Sequence, residues 1–369
     1  MSAASSTPAP VASSPLGGPG APFDVAPWAG GPDPLPLVVH ARGERSVEGL
    51  VAWIRAHHGA LRSELARSGA LLLRGFEVGD APAFERVARA IDPDLGNEYL
   101  GTSPRNALTS HVFTASELPP FYPIPQHCEM SFTARPPRRL FFACLVEPAA
   151  GSGETPLCDF RKVLRDVDPA VRRRFEERGI RIVRNYGPPG ARSALNPFQL
   201  KGWDETFGTT ERAVVEATCA REGFEPTFAA DGGLRLVSSQ PVSRRHPETG
   251  EEAWHNHVTT FHASAPSEEY RHIWRLRPTL RHLALWQVSR ALAAVQRRTK
   301  ASDSLAMHCT HRDGGEIADA DVAHVLDVIW RHLVIVPWRR GDVVAIDNYA
   351  VSHGRLPYAG PRRIAVCWA

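Results

Sequence analysis

The chain has 369 residues, 43% of them apolar and 22% charged; these proportions exclude bulk disorder and collagen-like repeats and leave ample material for a buried core. Its 43 lysines and arginines stand against 40 aspartates and glutamates, for a net charge of +3, too slight to point to a nucleic-acid partner. No apolar run approaches the ~18 residues that a membrane helix needs; the longest, Leu140 to Val146, suits a buried strand.

Residues 1–34 are mostly Ala, Ser, Pro and Gly with almost no charge, a composition that cannot offset its ordering entropy and predicts a flexible tail. Residues 35–369 read as one domain. The first lysine or arginine is Arg42, so the N-terminus is expected to lack the basic region of a secretion signal. Six scattered cysteines without a CxxC pair read as reduced thiols of a cytoplasmic protein.

Ser46 is placed to cap a helix in which Leu50, Trp53, Ile54, Leu61 and Leu65 recur at helical spacing. Gly69 ends it, and Ala70 to Leu73 begins a buried strand. Asp80 and Pro82 open a second helix running to about Ala90. Residues 96–126 are irregular and rich in proline, a loop length usually tied to function. Strands are predicted over 127–132 and 140–146, a helix from Asp168 to Gly179, and a strand over 180–185. Turns and short strands fill 186–262, and a helical insertion is expected within 267–332. Three extended runs close the chain at 333–337, 342–347 and 362–368. Strands at both ends of a long middle, with helices as covering, predict a mainly β (α+β) fold built on a closed or double-sheet core rather than a parallel α/β sheet.

His127-Cys128-Glu129 is the first candidate for chemistry. Residues two apart on a strand share a face, so the imidazole and the carboxylate would meet one metal ion. The pattern alone carries little weight, because His246/Glu248 and His311/Asp313 repeat it. Those two lie in His-Pro-Glu-Thr-Gly and His-Arg-Asp-Gly-Gly, which is turn chemistry. Only His127/Glu129 is followed by Met-Ser-Phe and then a strongly apolar strand. Two histidines and a carboxylate on one face of an ion leave three positions open, the ligand set of oxygen-activating non-haem Fe(II). His353, which opens His-Gly-Arg after the run Asp342–Asp347, is the candidate second histidine. If the last strand alternates, Arg363, Ala365 and Cys367 share one face and Arg362, Ile364, Val366 and Trp368 the other. The bulky face is then expected to pack into the shell, and the small one to leave room for a dicarboxylate held by the fork of Arg363, with Arg362 as its rival.

The motifs Gly-Ala-Leu-Leu-Leu-Arg-Gly-Phe (69–76), Gln-His-Cys-Glu-Met-Ser-Phe (126–132) and Gly-Ser-Gly-Glu-Thr-Pro (151–156) open a recognisable series. It continues with Arg-Asn-Tyr (184–186), His-Pro-Glu-Thr-Gly-Glu (246–251), Gly-Asp-Val-Val-Ala-Ile-Asp-Asn (341–348), His-Gly-Arg (353–355) and Gly-Pro-Arg-Arg-Ile (360–364). In these motifs and their order the chain resembles the Fe(II)/2-oxoglutarate-dependent dioxygenases of the TauD/TfdA superfamily, and within it the SyrP-like and clavaminate synthase-like branch. The resemblance implies a double-stranded β-helix (jelly roll, cupin-like) core, Fe(II) held by His127, Glu129 and His353, and 2-oxoglutarate held by Thr155 and Arg363. It also implies an oxidoreductase that uses O2 to convert 2-oxoglutarate to succinate while oxidising a substrate C–H. Cys367 stands where sulfonate-hydroxylating relatives carry an arginine, which argues against a taurine-like substrate. Glu129 fills the position that halogenating relatives leave open for chloride, which favours hydroxylation over halogenation and leaves desaturation or ring formation open.

The expected substrate is a small polar, amino-acid-like molecule of natural product biosynthesis, free or tethered to an aminoacyl carrier protein. Candidate pocket residues are Arg105, Arg135, Asn256, His257, Asn348 and Arg355. No nucleic-acid or membrane partner is expected, and a homo-oligomer is compatible with the sequence. Two other functions are compatible with the sequence: a protein or peptide side-chain hydroxylase, and a non-catalytic jelly-roll binding module, against which the intact residues 127, 129 and 353 argue.

Overall fold

The computed structural model describes residues 14–17, 22–28, 33–191, 200–299 and 301–369. The Oγ of Ser46 accepts a hydrogen bond from the Gly49 amide at 3.0 Å, capping the helix Val47–Ala56 as its sequence predicts. His57 breaks the expected continuous helix, and His58–Ser68 carries on to Gly69, whose φ of 79° closes it in the left-handed region. Asp80 caps Ala81–Ile91 through the Ala83 amide at 2.8 Å.

These helices cover one face of a seven-stranded sheet. Its order is Phe23–Pro27, Leu37–Ala41, Ala70–Arg74, Val343–Asp347, Arg139–Val146, Arg363–Trp368 and Phe113–Thr114. Leu37–Ala41 and Ala70–Arg74 run parallel; the other pairs are antiparallel. Strand Phe23–Pro27 corrects part of the tail expected over 1–34. Phe23 is buried, packing edge-on against Trp53 and Phe76 with centroids 5.1 and 4.9 Å apart, and this apolar anchor offsets the entropy of ordering the segment.

Alternation divides the large sheet between two cores. Leu71, Leu73, Phe141, Ala143, Val343, Ala345, Ala365 and Cys367 pack with the N-terminal helices. Leu72, Leu140, Phe142, Val344, Ile346, Ile364, Val366 and Trp368 pack with Leu157, Cys158 and Val351 of a second sheet. That sheet has four strands, in the order Leu333–Val334, Leu157–Asp159, Val351–Arg355 and Ile124–His127. The interior therefore receives the bulky face of the last strand, the reverse of the sequence expectation. The small face, Ala365 and Cys367, lies instead under the helix layer, where small side chains let helix and sheet approach closely.

A third sheet orders Glu225–Phe228, Leu234–Gln240, Ile180–Gly187 and Met307–Thr310, with Leu200–Gly202 beside Ile180–Gly187. The expected helical insertion contains Ala265–Leu276, Leu280–Thr299 and Asp319–Arg331, with strand Met307–Thr310 interrupting it. Among the described residues, no helix is long and apolar enough to cross a membrane. The architecture is a mixed one of many strands with covering helices.

Strand Val351–Arg355 lies between Leu157–Asp159 and Ile124–His127 in antiparallel register. A Cβ on Gly354 would stand 2.6 Å from both the Ile124 carbonyl oxygen and the Gln126 amide nitrogen, so only glycine fits this approach. Gly354→Ala is expected to destabilise the protein by about 1–3 kcal/mol through overpacking. An unchanged denaturant midpoint would show that the Ile124–His127 edge yields freely.

Candidate active site

The register sets His353 directly opposite His127, and the two ring centroids are 4.4 Å apart. The His127 Nδ1–H donates to the Pro125 carbonyl at 2.9 Å, which turns the Nε2 lone pair to the interior. Strand structure stops at His127, so the expected alternation across 127–132 does not occur. Residues 128–133 turn instead: the Ser131 amide reaches the Cys128 carbonyl at 3.3 Å and the Thr133 amide the Met130 carbonyl at 2.9 Å. Met130 adopts a φ of +50°, a conformation that L-residues rarely take. The Asn348 side chain clamps this turn. Its Oδ1 accepts from the Glu129 amide at 2.7 Å, and its Nδ2 donates to the Glu129 and Pro137 carbonyls at 3.0 and 2.9 Å. The turn brings Glu129 Oε2 to 3.6 Å from His353 Nε2. One ligand-type atom from each of His127, Glu129 and His353 lies within 4.8 Å of the others.

Burial alone would favour a neutral Glu129, but the Arg105 guanidinium, 2.8 Å away, and the two histidines together hold its carboxyl well below the usual range. Burial, then the facing His353, push His127 down to about 4. An ionised carboxylate and a neutral imidazole are the protonation states that metal ligation requires. The His353 Nδ1 is buried and has no hydrogen-bond partner among the described residues. The donor set therefore fits a divalent ion of the Fe(II) type. Cys128, between the two candidate ligands in sequence, is fully buried in the apolar core; burial, then Asp347, push its thiol well above the ordinary value.

Thr155 lies on the other side of His353, next to strand Leu157–Asp159. Its Oγ1 is 3.2 Å from Trp338 Nε1 and 3.4 Å from an Arg362 nitrogen. Arg362 Nε also donates to the Gly153 carbonyl at 2.7 Å, and burial, followed by Arg355, pushes its guanidinium down to about 10. Arg363, the expected anchor, is exposed at the start of its strand. A register shift between Arg363 and Ile364, together with the inward bulky face, turns Arg362 toward Thr155 instead.

Of the six expected pocket residues, two lie near the cluster. Arg105 contacts Glu129, and His257, with its ring centroid 5.3 Å from that of His127, shares a 2.6 Å hydrogen bond with Ser131 Oγ. Four are placed otherwise. Asn348 is spent on the Glu129 turn. Arg355 donates to the carbonyls of Leu118, Pro119 and Tyr122, pinning the loop ahead of His127. Asn256 holds its own turn, through the Val242 carbonyl and the Val258 amide, and Arg135 is exposed. The other His-x-acid pairs are turns, as expected: His246 Nδ1 accepts from the Glu248 and Thr249 amides, and Asp313 accepts from the Gly315 amide. Arg184 went unpredicted as an individual site residue, although its Arg-Asn-Tyr motif stood out. It is fully buried between the rings of Phe132 and Phe224, 4.3 and 4.7 Å from their centroids. A cleft of about 860 Å³ lined by Asp33, Arg62, Arg161, Lys162, Glu248 and Glu251, among others, includes none of the candidate ligands.

Residues 33–368 match the family model described as "Taurine catabolism dioxygenase TauD, TfdA family". The chain belongs to the TauD/TfdA family. It is therefore an Fe(II)- and 2-oxoglutarate-dependent dioxygenase. It is 32% identical over 308 residues to a clavaminate synthase-like protein of Arabidopsis thaliana, covering 82% of each chain. It is 28% identical over 344 residues to the dapdiamide synthesis protein DdaC of Enterobacter agglomerans, covering 93% of each. Among solved structures, PvcB of Pseudomonas aeruginosa aligns with a TM-score of 0.49 at 14% identity, over 94% of this chain and 91% of that one.

His127, at about 4, and His255, pushed down to about 3 by burial and then by the Arg244 guanidinium, give this family member an acid sensitivity. The unfolded chain takes up these protons near pH 6.5, whereas the fold resists them until about pH 4. Stability is thus expected to fall steadily as pH drops from 6.5 toward 4. The metal-free protein should melt several degrees lower at pH 5 than at pH 7.5. Equal melting temperatures would mean that both rings protonate within the fold.

Proposed function

We propose that this TauD/TfdA dioxygenase hydroxylates an unactivated C–H bond of a small polar, amino-acid-like substrate, free or carried on a carrier protein. In this reading His127, Glu129 and His353 hold the Fe(II), Thr155 and Arg362 hold 2-oxoglutarate, and the facing large and four-stranded sheets form the jelly-roll core. The observation that carries it is the convergence of two buried imidazoles and one ionised, buried carboxylate within 4.8 Å. Fe(II) bound there supplies the oxidative chemistry, coupling conversion of 2-oxoglutarate and O2 to succinate and CO2 with oxidation of the substrate.

The protein's own groups orient and neutralise. Arg362 is a largely desolvated cation whose hydrogen bonds among the described residues go only to neutral oxygens, an arrangement that recruits a carboxylate through charge-assisted bonds. Phe142, with its ring centroid 5.1 Å from that of His353, walls the cluster with apolar surface and excludes water. Arg105 steadies Glu129 with one nitrogen, while its Nε and Nη1 have no partner among the described residues. Arg184 likewise keeps two unspent nitrogens. Two buried guanidiniums with free donors support a substrate that carries a carboxylate. Similarity to a dapdiamide synthesis protein supports a biosynthetic role.

His127→Ala and His353→Ala are each expected to reduce substrate-dependent succinate formation to background, measured anaerobically reconstituted and then exposed to O2. Succinate formation near the wild-type rate in either variant would overturn the ligand assignment. The same assay across amino acids, free and carrier-bound, reads the substrate class.

Arg362→Ala is expected to raise the KM for 2-oxoglutarate about 10- to 150-fold, the loss of a charge-assisted pair worth ~1.5–3 kcal/mol. Arg363→Ala should stay within about twofold of wild type. The opposite ranking would return the anchor to Arg363.

A further inference from the structure

A second group of ligand-type side chains lies outside the active site. His262 follows the short helix Val258–Phe261, and His308 lies in strand Met307–Thr310. The chain then turns at His311–Gly315, and the bridge between Thr310 and Glu316 folds Glu316 back toward that strand. Both histidines are 3% exposed, with ring centroids 5.0 Å apart. His262 Nδ1 accepts from the Ser264 amide at 3.3 Å and lies 2.8 Å from Ser264 Oγ, and its Nε2 has no hydrogen-bond partner among the described residues. His308 Nε2 stands 3.0 Å from Glu316 Oε2. One ligand atom from each of the three lies within 4.8 Å of the others.

We propose that His262, His308 and Glu316 form a second metal site, for a divalent cation of the zinc type. Two imidazoles and a carboxylate, completed by water, make a tetrahedral zinc set. Bonds of ~2.1 Å place neighbouring ligand atoms roughly 3.4 Å apart, close to the His308–Glu316 separation. With Nδ1 engaged by the Ser264 amide and hydroxyl, Nε2 is the ring nitrogen left for the ion, which displaces any proton there on binding. A plain His308–Glu316 ion pair accounts for one contact and leaves the buried Nε2 of His262 outside it. Glu316 is exposed, which gives an ion a way in. Bound there, the ion would tie a helix end, a strand and a turn together. The helix also supports the active-site strand, because Thr259 Oγ1 donates to the Gln126 carbonyl at 3.2 Å.

The test uses the full chain, stripped of metal and titrated with Zn(II) by calorimetry, with metal content and melting temperature as readouts. A His127→Ala/His353→Ala background disables the first cluster, so the result does not depend on the iron reading. This background is expected to retain one Zn(II) per chain and to melt higher when it is bound. Adding Glu316→Gln, a surface change, should weaken that binding at least tenfold, and adding His262→Ala should abolish it. In the otherwise unaltered protein, Glu316→Gln should weaken one of two Zn(II) ions by the same factor, a check that stands even if the multiple variants fold poorly. The site is overturned if the background binds no Zn(II), or if Glu316→Gln leaves every affinity unchanged.

Discussion

The antiparallel pairing of Val351–Arg355 with Ile124–His127 is the constraint on which the rest of the site depends. It sets His353 against His127 before any ion is present, and it is locked from several sides. Ser352 Oγ donates to Gln126 Oε1 at 2.7 Å, and Gln126 Nε2 donates to the Pro156 carbonyl at 3.0 Å. One glutamine thereby ties the two histidine strands to the segment that carries Thr155. Arg355 extends the same strand into the preceding loop. The backbone around the candidate ligands is thus held by side chains whose hydrogen bonds are already spent, which is how a scaffold keeps a site preorganised.

Charge is placed as deliberately as shape. Glu129 is a buried anion, and a buried charge survives only with partners; the Arg105 guanidinium, with the two facing imidazoles, supplies them. Arg362 has the opposite problem, a half-buried cation whose hydrogen bonds among the described residues go only to neutral oxygens. Such an imbalance is costly in the free protein and becomes favourable when a carboxylate arrives, so affinity is drawn from a penalty already present in the fold.

Much of this was legible in the residues. Ser46, Gly69 and Asp80 announce their helix boundaries because capping is local chemistry, readable within three or four positions. The candidate ligands were singled out by their context: His246 and His311 lie in turn sequences, and they are turns. What the residues do not disclose is set by the rest of the fold. Whether Arg362 or Arg363 faces inward depends on which side of the last strand the N-terminal helices cover, and on one shift of register against Arg139–Val146. Asn348 and Arg355 looked like pocket residues because a polar side chain near a ligand reads the same whether it meets substrate or backbone. The turn at Met130 is invisible to alternation, since nothing in His-Cys-Glu marks where the strand ends.

Cys128 sits in sequence between the two candidate ligands of an enzyme that handles O2, a hazardous position for a sulfur atom. Thiolate, not thiol, is the form that peroxides attack and metals capture. By keeping this sulfur in the apolar core and its proton firmly attached, the fold withholds the first rung of sulfenic acid formation. The same turn that offers Glu129 to the cluster thus shields its neighbour from the enzyme's own oxidising power.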